Sequence, residues 1–206
     1  MHEFVEWPKT KRLFRDIVVT EKLDGTNSAV HISEDEGSLD RSRAYADVDG
    51  TRYVITAQSR KRIITPGKTT DNYGFAGWVY EHADSLVRLL GEGLHFGEWW
   101  GQGIQRNYGM EDRRFSLFNT DRYDHLNHDD AALFDGSRVN TVPVLYRGTF
   151  ADAAICQALT DLGDYGSVAA PGYMNPEGIC VYHSQSRNVY KVTLDHNDAG
   201  KWEAAA

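Results

Sequence analysis

The sequence predicts an α+β fold with largely antiparallel sheets flanked by helices. Most of its apolar residues fall in short alternating runs, which is the pattern of half-buried strands. Only two segments, 75–91 and 149–163, have the spacing and the end signals of helices. The expected strands do not alternate one by one with helices, as a regular parallel sheet would require.

The first half of the chain is predicted to be rich in strands. Residues 34–50 are polar and broken by glycine and serine, so we expect a loop or an irregular hairpin there. Helix 75–91 ends at Gly91 and places His82 near its apolar face, where a core histidine is expected rather than a metal ligand. The predicted strands are 17–23, 28–33, 51–58, 93–101 and 114–120.

The second half is predicted to contain one strand, one helix and a final strand pair. Strand 140–148 contains Pro143, which restricts it to a sheet edge or to a strand entry. Helix 149–163 has an aspartate in its first turn and a glycine at its end. Residues 177–183 and 187–194 alternate and are joined by a short polar turn.

Composition and charge exclude several classes of protein. The chain has 206 residues, of which 41% are hydrophobic and 25% charged, as is typical of a soluble globular domain. It contains no apolar run of about 20 residues and no signal-peptide core, so we expect a cytoplasmic protein without a membrane partner. Cys156 and Cys180 are expected to be reduced thiols. The net charge of −8 argues against coating nucleic acid by bulk charge.

A single lysine enters a polar turn between the first two predicted strands, in the segment "KLDGTN" (22–27). A lysine attacks only as the uncharged amine, a form that burial and neighbouring cations favour. Gly25 allows the backbone to turn tightly. Such a turn is usually a simple hairpin, so Lys22 indicates chemistry only together with other residues.

Three more charged residues lie in or beside predicted strands. Glu98 stands between a glycine and two tryptophans, Glu177 precedes an apolar strand, and Lys191 lies within the next strand. An inward charged side chain is unfavourable in a strand unless it has a partner. Together with Lys22 these residues predict one polar site, open to a ligand that carries phosphates.

In their order along the chain, these residues resemble the motifs of the covalent nucleotidyltransferases, the ATP-dependent RNA and DNA ligases and mRNA capping enzymes. Lys22, Asp24 and Gly25 match the nucleophile motif K-x-D-G. One motif alone is weak, but five in the family's order across residues 4–194 are specific. The later full matches are Ser59-Arg60, Phe96-Gly97-Glu98, Phe118 in "FSLFN" and Glu177-Gly178. Lys191 matches the family's final lysine motif in part.

Two features refine the resemblance and two depart from it. Asn27 stands where DNA ligases usually carry arginine, and "EWPK" (6–9) resembles the approach to the lysine in nick-sealing RNA ligases. Thr193 stands where the second lysine of the final K-x-K motif is usual, unless Lys201 replaces that lysine. Residues 1–206 are expected to form a single nucleotidyltransferase (ligase adenylation) domain, without the separate C-terminal or OB domain that such ligases normally carry.

The resemblance implies an ATP-dependent RNA ligase of RNA repair that uses ATP and Mg²⁺ and forms a lysyl-AMP intermediate. It would join 5′-phosphate to 3′-hydroxyl ends. Lys22 would carry the AMP, Glu177 would bind Mg²⁺ and Lys191 would neutralise the α-phosphate. Phe118 would stack on adenine. The other implied nucleotide-binding residues are Glu21, Asp24, Gly25, Asn27, Arg60 and Glu98.

Alternatives remain open at this point. The chain is also compatible with DNA nick sealing or capping, and Thr193 suggests a non-catalytic module that binds nucleotides or RNA ends. The expected partner is nucleic acid, as RNA ends or a nicked duplex, gripped through the clusters Arg60–Arg62 and Arg106–Arg114 or through a partner protein. A rival metal site in "DHLNHDD" (124–130), with His125, His128, Asp129 and Asp130, fits a solvated loop better.

Overall fold

The computed structural model describes residues 2–37, 40, 43–126, 132–134 and 137–195. These residues form three α-helices, α1 (Phe75–Glu81), α2 (Ala83–Leu90) and α3 (Asp152–Tyr165), and one short 3-10 helix, Asp124–Leu126. The strands in the same residues are β1 Asp16–Lys22, β2 Thr26–Glu34, β3 Ala44–Val48, β4 Thr51–Ser59, β5 Ile63–Ile64, β6 Gly93–Gly101, β7 Arg113–Leu117, β8 Ala132–Phe134, β9 Ser137–Thr141, β10 Val144–Thr149, β11 Gly178–His183 and β12 Asn188–Thr193.

The chain divides into two compact units. The first unit contains the residues up to Lys22, Val144–Val168 and the residues from Met174 onward. The second unit contains Leu23–Pro143 and Ala169–Tyr173. The boundary therefore falls directly after Lys22.

The first unit is a four-stranded antiparallel sheet with one helix on it. Its strand order is β10-β1-β11-β12. Helix α3 begins with Asp152 in its first turn and ends before Gly166, as its sequence predicts. The core between α3 and the sheet is apolar and is formed by Ile17, Val19, Ala158, Leu162, Ile179 and Val181.

The second unit is built on a larger sheet with the order β3-β4-β2-β6-β7-β9-β8, and β5 pairs with β4. All pairs are antiparallel except β7 with β9. Helices α1 and α2 bury their apolar residues in the core on one face of the sheet. This core includes an aromatic cluster of Phe75, Trp78, Trp99 and Phe115, with ring centroids 5.0–6.1 Å apart.

The α+β class and the antiparallel sheets are confirmed, with two corrections to the predicted elements. The single helix predicted at 75–91 is two helices separated at His82, where ψ is 22° and the imidazole bonds the carbonyl of Trp78 at 2.8 Å. The single strand predicted at 140–148 is wrong, because the chain leaves one sheet after Thr141 and enters the other at Val144. Pro143 lies between these two strands, where its lack of an N–H group costs no hydrogen bond between strands.

The segment 34–50, for which loop and hairpin were both open, contains strand β3. It forms a hairpin with β4 in which Val48 pairs with Thr51. The turn is Asp49-Gly50, and both residues have positive φ, as a tight hairpin turn requires. In the described part of the chain, no helix is long and apolar enough to cross a membrane.

Candidate active site

Lys22 is the last residue of β1, and a carboxylate holds its amine. Lys22 Nζ lies 2.5 Å from Oε2 of Glu177, the residue directly before β11. The two side chains are 22% and 17% exposed, so the pair is mostly shielded but still reachable from solvent. A charged hydrogen bond of this kind gives the amine a defined direction, which in-line attack on a phosphorus atom requires.

Strand register arranges the other first-unit candidates around Lys22. Lys22 pairs with Gly178 and Gly178 pairs with Thr193, so these residues form one row across β1, β11 and β12. Lys191 is two residues from Thr193 and therefore lies on the same face of the sheet as Lys22. Its side chain is exposed and makes no hydrogen bond or ion pair with any described residue, so its amine can meet an anionic ligand.

Gly178 allows β12 to approach closely beside Glu177. Its φ is +146°, and a Cβ at this position would lie 2.2 Å from the carbonyl oxygen of Val192. A side chain would therefore force β11 and β12 apart. The glycine of the E-G pair is thus a steric requirement of the strand that carries Glu177.

Glu21 lies on the opposite face of β1 from Lys22. It is 1% exposed, and its carboxylate accepts hydrogen bonds from Ser167 Oγ at 2.6 Å and from the Val168 amide at 2.9 Å. These contacts anchor the segment after α3 to the sheet. The nucleotide-binding role expected for Glu21 stays a prediction, and the contacts observed here are structural.

The turn after Lys22 belongs to the second unit, where a strained loop holds Asp24. In this loop Gln105, Asn107 and Tyr108 have φ values of 44°, 60° and 51°, which non-glycine residues rarely adopt. Arg106 Nε donates to Asp24 Oδ2 at 3.0 Å, and the Asp24 amide donates to the Tyr108 hydroxyl at 2.9 Å. The loop thereby fixes the aspartate of the nucleophile motif.

Gly25 brings the same turn against β6 and Glu98. The Gly25 amide donates to Glu98 Oε1 at 3.1 Å, and a Cβ on Gly25 would lie 2.4 Å from the Trp99 carbonyl oxygen. Asn27 pairs with Glu98 across β2 and β6, so their side chains share one face of the sheet. This face is opposite the one on which Trp99 enters the core.

Two neighbouring phenylalanines expose their rings on the second unit. Phe118 follows β7 and is 41% exposed, and Phe96 in β6 is 46% exposed. The Phe118 amide donates to the Phe96 carbonyl at 3.0 Å, so the two residues are neighbours. Phe96 belongs to the matched motif Phe96-Gly97-Glu98, but no binding role was predicted for it from the sequence. The signal that identifies it is its position two residues before Glu98, which puts both side chains on the same face.

Arg60 and Asn27 complete the second-unit candidates. Arg60 follows β4, whose last residue, Ser59, pairs with Ser28, so Arg60 lies at the same end of the sheet as Asn27. Neither side chain bonds to another residue within the described part of the chain. Arg60 is exposed, and its guanidinium can fork onto phosphate or ribose oxygens.

The basic cluster Arg106–Arg114 is already engaged within the second unit. Arg106 is paired with Asp24, Arg113 donates to two main-chain carbonyls, and Arg114 pairs with Asp112 at 3.2 Å. Phosphate contacts would therefore compete with these bonds.

The rival metal site receives no support from the described residues. Asp124 and His125 form part of the 3-10 helix, whereas His128, Asp129 and Asp130 lie outside the described residues, as does Lys201. Where the chain is described, no group of three or more histidine, cysteine, aspartate or glutamate side chains gathers as a metal site.

A buried histidine supports the strand that carries Glu98. His95 in β6 is 1% exposed, and its ring bonds to the Tyr123 hydroxyl and, at 2.9 Å, to the Gly91 carbonyl. Burial, followed by the nearby Arg122 guanidinium, lowers the pKa of His95 from 6.5 to about 4. The imidazole is therefore neutral at pH 7.

Two cavities of the first unit lie away from Lys22. One, of about 380 Å³, is lined by residues that precede β1 and by residues in and around the β11–β12 hairpin, including Lys11, Arg12 and Tyr190. The other, of about 600 Å³, lies between α3 and β10 and is mainly apolar. None of the predicted site residues lines either cavity. The polar arrangement around Lys22 is thus the stronger candidate for chemistry on phosphates.

Comparison with known proteins identifies a family for the chain and structures with a similar fold. A family model described as RNA ligase matches residues 15–193. A mutant of Naegleria gruberi RNA ligase with ATP and Mn has a similar structure, with a TM-score of 0.54 and 18% identity over 91% of this chain and 53% of that chain. The same ligase with PPi gives a TM-score of 0.53 and 18% identity, over 94% and 57% of the two chains. No curated protein matches the chain.

Because the family model covers most of the chain, the protein belongs to the RNA ligase family. The resemblance identified from the motifs is thereby confirmed. At 18% identity the likeness to the Naegleria gruberi structures concerns the fold, which is the α+β fold described above. The chain spans about half the length of those structures.

Proposed function

We propose that the protein is an ATP-dependent RNA ligase that works through a lysyl-AMP intermediate on Lys22. The observation that carries this proposal is the Lys22 amine at the end of β1, bonded to Glu177 at 2.5 Å, with Lys191 on the same face of the sheet. A lysine oriented by a carboxylate, with a second amine free to meet an anion, suits attack on a phosphate.

In the first step the Lys22 nitrogen attacks the α-phosphorus of ATP. A nitrogen–phosphorus bond forms, the bond to the β-phosphate oxygen breaks, and pyrophosphate leaves. Lys22 must lose its proton before the attack, and the Glu177 carboxylate is within hydrogen-bond reach to accept it. Lys191 would offset the negative charge of the α-phosphate oxygens.

Second-unit residues have the chemistry to hold adenosine. The exposed ring of Phe118, with Phe96 beside it, offers a flat apolar face for the base. Glu98 and Asn27 can bond ribose hydroxyls, and Arg60 can contact ribose or phosphate oxygens. Asp24 and Gly25 would shape the turn that directly follows Lys22 in the chain.

Mg²⁺ is the cofactor implied by the family, and the residues fit it. Mg²⁺ is usually bound through one or two carboxylates together with phosphate oxygens of the substrate. Glu177 supplies one such carboxylate beside Lys22, and no larger cluster of ligands occurs in the part of the chain that is described. When bound, Mg²⁺ would neutralise phosphate charge; Glu177 is the residue that would hold it.

The remaining steps join two ends of RNA. AMP passes from Lys22 to a 5′-phosphate, and a 3′-hydroxyl then attacks that phosphate and releases AMP. The bond made is a phosphodiester, and the energy comes from the ATP consumed in the first step. Membership of the RNA ligase family supports RNA as the substrate.

A sealing assay tests this function. The wild-type chain is incubated with ATP, Mg²⁺ and a nicked duplex that has a labelled 5′-phosphate, with either RNA or DNA on the 3′-hydroxyl side. We expect sealing that requires ATP and prefers an RNA 3′-hydroxyl strand, and none with Lys22→Ala. A preference for all-DNA nicks would indicate the alternative of DNA nick sealing. Failure to consume ATP would indicate a module that only binds nucleotides or ends.

One observation favours a chain that labels itself but seals slowly. Thr193 occupies the row that contains Lys22 and Gly178, at the position where the family motif usually has its second lysine. One cation is therefore missing from that row. Fast covalent labelling with slow sealing in the same assay would support this reading.

A further inference from the structure

An N-terminal arm, residues 2–15, combines exposed aromatic rings with cations. Phe4 is 91% exposed, Trp7 85% and Phe14 67%. Apolar side chains that are exposed as a group, rather than scattered singly, mark interaction sites on soluble proteins. The arm has four basic residues, Lys9, Lys11, Arg12 and Arg15, against two acidic ones, Glu3 and Glu6, in a chain of net charge −8.

Residues 12–14, which we call the root of the arm, contact the rest of the first unit, whereas residues 2–11 are exposed. The Arg12 amide donates to Gln185 Oε1 at 2.7 Å, and His183 Nε2 donates to the Leu13 carbonyl at 2.7 Å. The Phe14 ring packs edge-on against Phe150. Residues 2–11, in contrast, make no hydrogen bond with any other described residue. The aromatic and basic side chains of residues 2–11 are exposed and are therefore not used to stabilise the fold.

A cavity of about 380 Å³ opens at the root of the arm. Cationic Lys11 and Arg12 and the aromatic residues Phe150 and Tyr190 contribute to its lining. Rings that stack on bases, together with cations that meet phosphates, are the combination used to bind single-stranded nucleic acid. The cavity lies near the start of β1, whereas Lys22 is at the end of this strand, roughly 20 Å away at 3.3 Å per residue.

We propose that the arm and this cavity bind a single-stranded segment of RNA, with bases stacked on Trp7 and Phe4 and phosphates held by Lys9 and Lys11. The choice of RNA rests on the proposed ligase function. The charge of the arm is complementary to a polyanion, and the arm is a basic segment of an otherwise acidic protein. The cluster Arg106–Arg114 predicted from the sequence is less suitable, because Arg106 and Arg114 are paired with carboxylates.

The test measures binding of a fluorescent single-stranded oligoribonucleotide to the full chain by anisotropy over a salt series. For Trp7→Ala we expect binding to weaken about tenfold, since stacking contributes about 1–3 kcal/mol per base. For Lys9→Ala/Lys11→Ala we expect a weaker salt dependence. The slope of the log binding constant against log salt concentration should become less negative by about 1.4, at about 0.7 per lost contact with a single strand. Melting temperatures should stay unchanged, because these side chains are exposed.

Matched controls remove an exposed aromatic or cationic residue elsewhere. Tyr165→Ala and Arg88→Ala, at residues of α3 and α2, should leave affinity and salt slope unchanged. Equal effects of arm and control variants would overturn the proposal. The proposal would also be overturned if the wild type were a dimer and Trp7→Ala abolished dimerisation without changing RNA binding. The arm would then contact a second copy of the chain. Oligonucleotide binding needs no ATP, so failure of self-labelling in a parallel assay would affect only the proposed ligase function.

Discussion

Replacing Phe118 by leucine separates nucleotide binding from core packing. Phe118→Leu keeps an apolar side chain but removes the ring face on which we place adenine. Phe118 is 41% exposed, so little packing is lost. Stacking of a base on an aromatic ring contributes about 1–3 kcal/mol, which corresponds to roughly 5- to 150-fold weaker ATP binding. The melting temperature should fall by less than about 2 °C.

Phe115 provides the matched control, three residues earlier in β7. It is fully buried against Phe75 and Trp78. Phe115→Leu should therefore lower the melting temperature by several degrees, because a buried ring loses about 1–2 kcal/mol of packing, while the ATP concentration for half-maximal labelling stays near that of the wild type.

The assay is the rate of covalent labelling by ATP as a function of ATP concentration, with melting curves on the same samples. The expected pattern is a large shift in ATP dependence for Phe118→Leu and a large shift in melting temperature for Phe115→Leu. If Phe118→Leu unfolds the chain more easily and leaves ATP dependence unchanged, Phe118 is a packing residue and the placement of adenine is wrong.

Three further predictions concern Glu177, Thr193 and His95. Glu177→Gln removes the charge that orients Lys22 and should slow single-turnover labelling at least about tenfold; an unchanged rate would contradict its role. Thr193→Lys restores a cation to the row of Lys22 and should speed sealing several-fold, whereas slower sealing would argue against the missing-cation account. Folding lowers the pKa of His95 from 6.5 to about 4, so the unfolded state binds a proton more readily than the folded state does. The free energy of unfolding should therefore decrease by up to about 3 kcal/mol as the pH falls from about 6.5 to 4. Urea unfolding of wild type and His95→Gln checks this, and identical pH profiles would refute it.

The strands and the motif residues were predictable because their signals are local. Alternation identified β1, β2, β4 and β6 to within two residues at each end. The spacing of Lys22, Asp24 and Gly25 is also local, since these residues share one turn. The row of Lys22 and Gly178 follows once β1 pairs with β11.

The features that were missed depend on contacts that leave no signal in the apolar pattern of the sequence. Arg106 and Asp24 are 82 residues apart, and no periodicity links them. The break at His82 depends on a side-chain bond to a carbonyl of the preceding turn, while the apolar spacing continues through it. The crossing at Pro143 changes the sheet to which the chain belongs, and alternation alone carries no information about sheet partners.

The most direct test of the account is to identify the residue that carries AMP. The wild-type chain is incubated with labelled ATP and Mg²⁺, digested, and the modified peptide is sequenced by mass spectrometry. The account predicts one adenylylated residue, Lys22, and no label on a folded Lys22→Ala chain. Label on Lys191 or another lysine, or label that persists in Lys22→Ala, would contradict it.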